Sequence, residues 1–243
     1  MKETQDIAER KQTKKPEKNP TNLKRVVFLV GRDNWQKDDL LNHVLLTALK
    51  KTNCKIIWED PAGNILYKLR RLESKFKWIP ELIRGINLRL TQFFYGLIHW
   101  NYFLYLSGRQ TGSIELRCQK LKNSILELGT ENEIIIISRS SGGRISSIVA
   151  DDLKIKHIIC LGYPFKNPTT GIEPERYLHL KNLKTPMLIV QGTKDEYGGY
   201  EEILREYALS PAIELFFVDA NHEFKIDHKD WRRVLAKIEK IIG

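Results

Sequence analysis

From residue 24 onward, short apolar runs alternate with stretches of helical period, and this alternation constrains the chain to a mainly parallel sheet covered by helices on both faces. The predicted strands are Lys24–Val30, Cys54–Trp58, Glu133–Ile137, His157–Leu161, Pro186–Gln191 and Ala212–Val218. Helices are expected over Asp38–Thr52, Ser113–Leu128, Arg144–Asp152, Tyr200–Leu209 and Lys229–Ile242. In the first of these Leu40, Leu41, Val44, Leu45 and Leu49 share one face, and Ser113 suits the N-cap of the second. The unbroken run of Ile134 to Ile137 predicts a strand buried on both sides. A chain of 243 residues is long enough for one such domain, which is assigned to 24–243.

The turns that follow three of these strands carry the chemistry. After the third strand comes Ser138-Arg139-Ser140-Ser141-Gly142-Gly143. A serine nucleophile can sit on a sharp strand-to-helix turn if the residues two before and two after it are small, because the chain there passes close to its neighbours. Centring the turn on Ser140 puts Ser138 and Gly142 at the cramped positions, with Gly143 following. Ser138 stands where a glycine is usual. The fifth strand runs into Gly192-Thr193-Lys194-Asp195, and the sixth into Asp219-Ala220-Asn221-His222. Serine, carboxylate and histidine therefore occur in the chain order that this kind of site requires, each beyond the C-terminal end of its own strand. Glu196, next to Asp195, is the alternate acid if the turn shifts by one residue.

Each residue type has a task. A serine hydroxyl attacks a carbonyl only as a base removes its proton. Histidine titrates near neutrality, so it can accept that proton and return it to a leaving group. A carboxylate fixes the imidazole tautomer and stabilises the imidazolium. The oxyanion needs backbone N–H donors, expected from Ser141 and from Arg32 in the loop after the first strand.

The segments SRSSGGR, GYPF at Gly162–Phe165, RYLHLKNLKTPMLIVQGTKDEYG and DANH resemble the small α/β-hydrolase family related to dienelactone hydrolases. Uncharacterised bacterial hydrolases and animal chromatin-complex subunits share that domain. The resemblance covers roughly residues 24–60 and 110–243 and is most specific from Arg176 to Gly198. It implies an α/β-hydrolase fold and a Ser140–His222–Asp195 triad, with the G-x-x-D spacing favouring Asp195 over Glu196. It also implies cleavage of a carboxylic ester or thioester through an acyl-enzyme, without cofactor or metal. The sequence departs from the family pattern at Ser138, and at Val30, where many relatives place a histidine. Some relatives act as interaction modules, so a catalytically silent binding domain is the alternative.

Charge is unevenly placed. The chain carries a net +10, of which residues 1–25 hold +4 (eight Lys/Arg, four Asp/Glu) and residues 66–108 hold +5 (seven against two). Residues 1–23 read as a disordered basic arm without the apolar core of a secretory signal. The three cysteines form no metal or disulfide spacing, which fits a reduced, cytoplasmic compartment. No GxGxxG or P-loop pattern occurs, so nucleotide binding is not expected.

The alternation breaks over 62–108, an insert expected to be helical and lid-like. Residues 66–108 contain ten of the chain's 23 aromatic residues. Three roles fit: a pair of helices packing aromatics onto the core, a lid lining an acyl pocket, or a patch resting on an anionic membrane through Lys68, Arg70, Arg71, Lys75 and Lys77. Nucleic-acid binding fits least, because residues 93–106 are too apolar for a solvated groove. The small-molecule partner implied is an acyl substrate.

Overall fold

A computed structural model describes residues 24–31, 39–76, 78–111, 113–129 and 131–243. The basic arm at 1–23 and the oxyanion donor expected at Arg32 lie outside the described residues. In chain order the elements are β1 (Lys24–Val30), α1 (Asp39–Leu49), β2 (Lys55–Trp58), α2 (Gly63–Glu73), α3 (Glu81–Ile98), α4 (Asn101–Thr111), α5 (Ile114–Glu127), β3 (Asn132–Arg139) and α6 (Ser141–Val149). There follow β4 (Ile155–Leu161), a short antiparallel pair β5 (Lys166–Asn167) and β6 (Gly171–Ile172), β7 (Met187–Gly192), α7 (Tyr200–Glu206), β8 (Ile213–Val218) and α8 (His228–Ile242).

The six long strands form one parallel sheet in the order β2-β1-β3-β4-β7-β8. Alternation along each strand divides the core in two. Val27, Leu29, Ile135, Ile137, Leu188 and Val190 face α1 and α8, whose Leu45, Leu49, Trp231, Val234 and Ile238 cover them. Phe28, Val30, Ile134, Ile136, Ile158 and Ile189 face α5, α6 and α7, through Leu121, Ile125, Ile145 and Ile203. The isoleucine run of β3 is buried on both sides, as its composition requires. Ser113 caps α5, its side chain accepting from the Leu116 N–H.

The insert is three helices, not two. Its apolar run over residues 93–106 is broken at His99 and Trp100, and α4 folds back so that the Phe103 ring lies against Gly96, where a Cβ would stand 2.5 Å from it. The three helices pack beside the β2 edge of the sheet, between α1 and α5, around a small cluster of Ala62, Leu66 and Tyr102. The expectation that the aromatics pack onto the core holds for Tyr67, while Tyr95 and Tyr105 pack on the small cluster. Tyr102 is buried, but Phe76, Trp78, Phe93, Phe94 and Trp100 are exposed. Among the described residues no helix is long and apolar enough to cross a membrane.

Candidate active site

The sheet delivers three loop residues to its C-terminal edge. β3 and β4 pair up to Arg139 and Leu161, and β7 pairs with β8 up to Gly192 and Val218. The chain then turns at Ser140, Asp195 and His222 respectively, so neighbouring strands present their turns side by side. His222 Nε2 lies 3.0 Å from Ser140 Oγ, and His222 Nδ1 lies 3.1 and 3.0 Å from the two oxygens of Asp195. All three residues are buried. With Nδ1–H donating to the carboxylate, Nε2 is left to accept from the serine hydroxyl.

The turn at Ser140 is strained. Its φ of 49° and ψ of −123° lie where a residue with a side chain rarely goes, at a cost of about 1–3 kcal/mol. The surroundings hold it there. The Ser140 N–H donates to Leu161 O at 3.3 Å, and the Gly143 N–H donates to Ser140 O at 2.8 Å. A Cβ at Gly142 would stand 2.7 Å from Val30 O, and one at Gly143 would stand 2.2 Å from Cys160 Sγ. Both glycines are required by close approach. Ser138 occupies the other cramped position: wholly buried, its hydroxyl donates to Ile159 O at 3.1 Å, so a small polar residue is satisfied where glycine is usual.

Asp195 is held by groups the sequence reading did not single out. Gln191 Nε2 donates to Asp195 Oδ2 at 2.9 Å, and the Tyr197 N–H donates to Oδ1 at 2.8 Å. Gln191 is itself pinned by the Tyr163 N–H, which donates to its Oε1 at 2.7 Å. An amide next to the last residue of the otherwise apolar strand Met187–Gly192 was the one sign in the sequence, and it named no partner. Glu196, the alternate acid, instead accepts from the His222 backbone N–H at 3.3 Å. The Tyr197 ring lies 4.2 Å from the imidazole, centroid to centroid, and Arg139 Nη2 donates to His222 O at 3.1 Å. Burial pushes the neighbouring Cys160 thiol up to about 12, so it stays protonated and does not compete as a nucleophile.

Ser141 opens α6, and the first N–H of a helix has no acceptor within it. Following Ser140 directly in the chain, it is left to donate to a ligand. Arg117 Nη2 reaches Ser141 Oγ at 3.5 Å from α5, and the same Arg117 lines a cavity of about 330 Å³ with Leu121, Pro61, Leu104 and Tyr105. The insert thus borders a partly apolar hollow on the nucleophile's side of the sheet. Among the described residues no group of three or more His, Cys, Asp or Glu side chains is placed to hold a metal ion.

Solved structures similar to this chain include one described as an alpha/beta-superfamily hydrolase from Xanthomonas campestris, at 13% identity and TM-score 0.51, covering 89% of this chain and 98% of that one. Another is a CIB-like hydrolase from Thermoplasma acidophilum, at 11% identity and TM-score 0.52, covering 92% and 89%. A third is the serine hydrolase CarC of carbazole degradation, at 11% identity and TM-score 0.52, covering 90% of each chain. At these identities the likeness speaks for the fold alone. No curated protein sequence matches the chain. Residues 104–242, more than half of the chain and all of the segments that bear Ser140, Asp195 and His222, match the family described as the Alpha/beta hydrolase domain, and the protein belongs to that family.

Proposed function

We propose that this protein is a serine hydrolase that cleaves a carboxylic ester or thioester through an acyl-enzyme. The observation that carries the reading is the unbroken relay from Ser140 Oγ to His222 Nε2 at 3.0 Å and from His222 Nδ1 to Asp195 at 3.0 Å. Both distances lie within hydrogen-bond reach of an activated nucleophile. In the first half-reaction Ser140 Oγ attacks the acyl carbon as its proton passes to His222. The oxyanion is met by the Ser141 N–H and by a second donor that we assign to the loop bearing Arg32. Collapse expels the alcohol or thiol, protonated by His222, and leaves the acyl group on Ser140. Water then attacks the acyl-enzyme with His222 as base. The carboxylic acid departs and the serine is restored. Asp195 holds the imidazole tautomer throughout.

We assign the substrate's acyl part to the hollow between α4 and α5, because Arg117 both lines it and reaches Ser141 Oγ beside the nucleophile, and the insert would then serve as its wall. A fluorophosphonate probe tests the reading. Wild-type protein is expected to label at one residue, and Ser140→Ala is expected to abolish labelling. Absence of labelling, or labelling that survives the substitution, sinks it and leaves a binding module on a hydrolase scaffold.

A further inference from the structure

Helix α3 turns more of its large apolar side chains to solvent than to the protein. Its inward side is mixed: Leu88 and Tyr95 pack on the small cluster of Ala62, Leu66 and Tyr102, while Asn87 Nδ2 donates at 2.8 Å to Oε1 of Glu73 on α2, which pairs with Arg70, both buried. Its outward side carries Leu82, Ile83, Ile86, Leu90, Phe93, Phe94, Leu97 and Ile98, between 44% and 79% exposed. The i, i+4 spacing of residues 82, 86, 90, 94 and 98 makes this one continuous stripe along an 18-residue helix, about 27 Å long. Of the 21 exposed large apolar side chains among the described residues, 14 lie between residues 65 and 104. That density far exceeds the scattered apolar exposure normal for a soluble surface.

What covers the stripe is indicated by its neighbours. Trp78 and Trp100 flank α3 at its two ends and are 77% and 71% exposed. On α2 and just beyond it, Ile65, Lys68, Arg71, Leu72 and Lys75 are all exposed, so basic and apolar groups share one helical face. None of these three basic side chains has an ion-pair partner among the described residues. Interfacial helices have this composition: an apolar stripe, tryptophans at the headgroup level and lysine or arginine within reach of anionic lipid. Residues 1–23, with Met1, Ile7, Ala8 and Leu23 as their only aliphatic side chains, offer little to cover such a stripe.

We infer that the insert lays α3 flat on an anionic lipid bilayer, its stripe sunk among the acyl chains and Lys68, Arg71 and Lys75 against the headgroups. Docking does not depend on catalysis. Joined to the serine-hydrolase reading, it makes a membrane-held acyl ester the substrate, because Leu104 is both exposed and part of the wall of the hollow that reaches Arg117.

The experiment is co-sedimentation of the full chain with sucrose-loaded vesicles of phosphatidylcholine, alone or with about one-third phosphatidylglycerol. Binding to the anionic vesicles is expected, with a large drop on raising salt to about 0.5 M. Lys68→Gln/Arg71→Gln/Lys75→Gln should weaken it about a hundredfold, at roughly fivefold per charge. Leu90→Ser/Phe94→Ser should weaken it at least about tenfold at low salt. Both variants alter exposed positions, so circular dichroism and melting should match wild type. Ser140→Ala should bind as wild type does, which separates this inference from the catalytic one. Equal binding to neutral and anionic vesicles would overturn it. So would binding that survives both insert variants and is lost only when residues 1–23 are removed. A dimer in sedimentation equilibrium, broken by Leu90→Ser/Phe94→Ser without vesicle binding, would assign the stripe to a second copy instead.

Discussion

Substituting Gly143 tests how the elbow is built. Gly143 lies in the first turn of α6, where exchanging glycine for alanine alone would gain about 0.5–1 kcal/mol of helix propensity. The structure opposes that gain. A Cβ on residue 143 would stand 2.2 Å from Cys160 Sγ, well inside the roughly 3.5–4.0 Å of an ordinary non-bonded contact. Cys160 is fully buried in β4, between β3 and β7, and overpacking of such a site costs about 1–3 kcal/mol. We expect Gly143→Ala to lose about 2 kcal/mol net, or roughly 4–8 °C in melting temperature for a domain of this size. Cys160→Ala alone should lose about 1 kcal/mol by leaving a small void. In the double variant the new methyl occupies the space of the missing sulfur, although contacts of 3.2 Å to the residue 160 Cβ and 3.3 Å to Tyr163 remain tight. The pair should therefore be less destabilised than the sum of its parts by about 1–2 kcal/mol. Urea unfolding of the four proteins measures this coupling, and the probe-labelling rate follows Ser140 itself. Gly143 N–H holds the Ser140 carbonyl, so labelling should slow in Gly143→Ala and recover in the double variant. Additivity within about 0.5 kcal/mol would refute the reasoning.

Two further outcomes follow from groups around the site. Gln191→Leu removes a donor to Asp195 Oδ2 without touching substrate, so it should lower kcat about tenfold, leave KM little changed, and be rescued in part by Gln191→Asn; an unchanged kcat would remove Gln191 as a positioning residue. Burial lowers His179 from 6.5 to about 4, and its Nε2 meets Ser147 Oγ at 2.8 Å. The unfolded chain thus binds a proton that the folded one refuses, and stability is complete above pH 6.5 and falls as pH drops from there towards 4. After allowing for partial solvent access the loss is at most about 2 kcal/mol, and His179→Gln should flatten urea-unfolding stability across that window.

How much of this was legible in the sequence depends on which force fixed each part. The strands of the sheet were readable because burial on two faces imposes continuous apolar runs, and their turns were readable because parallel strands all end at one edge. That is why Ser140 and Asp195, far apart in the chain, each lie within hydrogen-bond distance of His222 in turns at that edge. Helix ends were less readable. α6 begins at Ser141, three residues before the apolar period is visible, because the elbow's backbone and not side-chain burial starts it. Gln191 was hidden for the opposite reason: its partners come from β4's far end and from the turn after β7, and no local pattern encodes a contact of that kind.

The insert went furthest from expectation, and the reason bears on function. Reading an amphipathic stretch assumes that the apolar side seeks protein and the polar side seeks water. In α3 the assumption holds for Leu88 and Tyr95, which pack inward, and fails elsewhere: Asn87 also turns inward, to Glu73, while Phe93, Phe94 and Leu97 face out. The buried pair of Arg70 and Glu73 would be poor stabilisation if it were only structural, since desolvation offsets most of its attraction. Its effect is to hold Glu73 where it accepts from Asn87, and that contact helps seat α3 on α2 with the apolar stripe outward. A helix that keeps eight large apolar side chains on its outer face suits a third phase beyond core and water, and an anionic bilayer is the phase that the neighbouring tryptophans and lysines match.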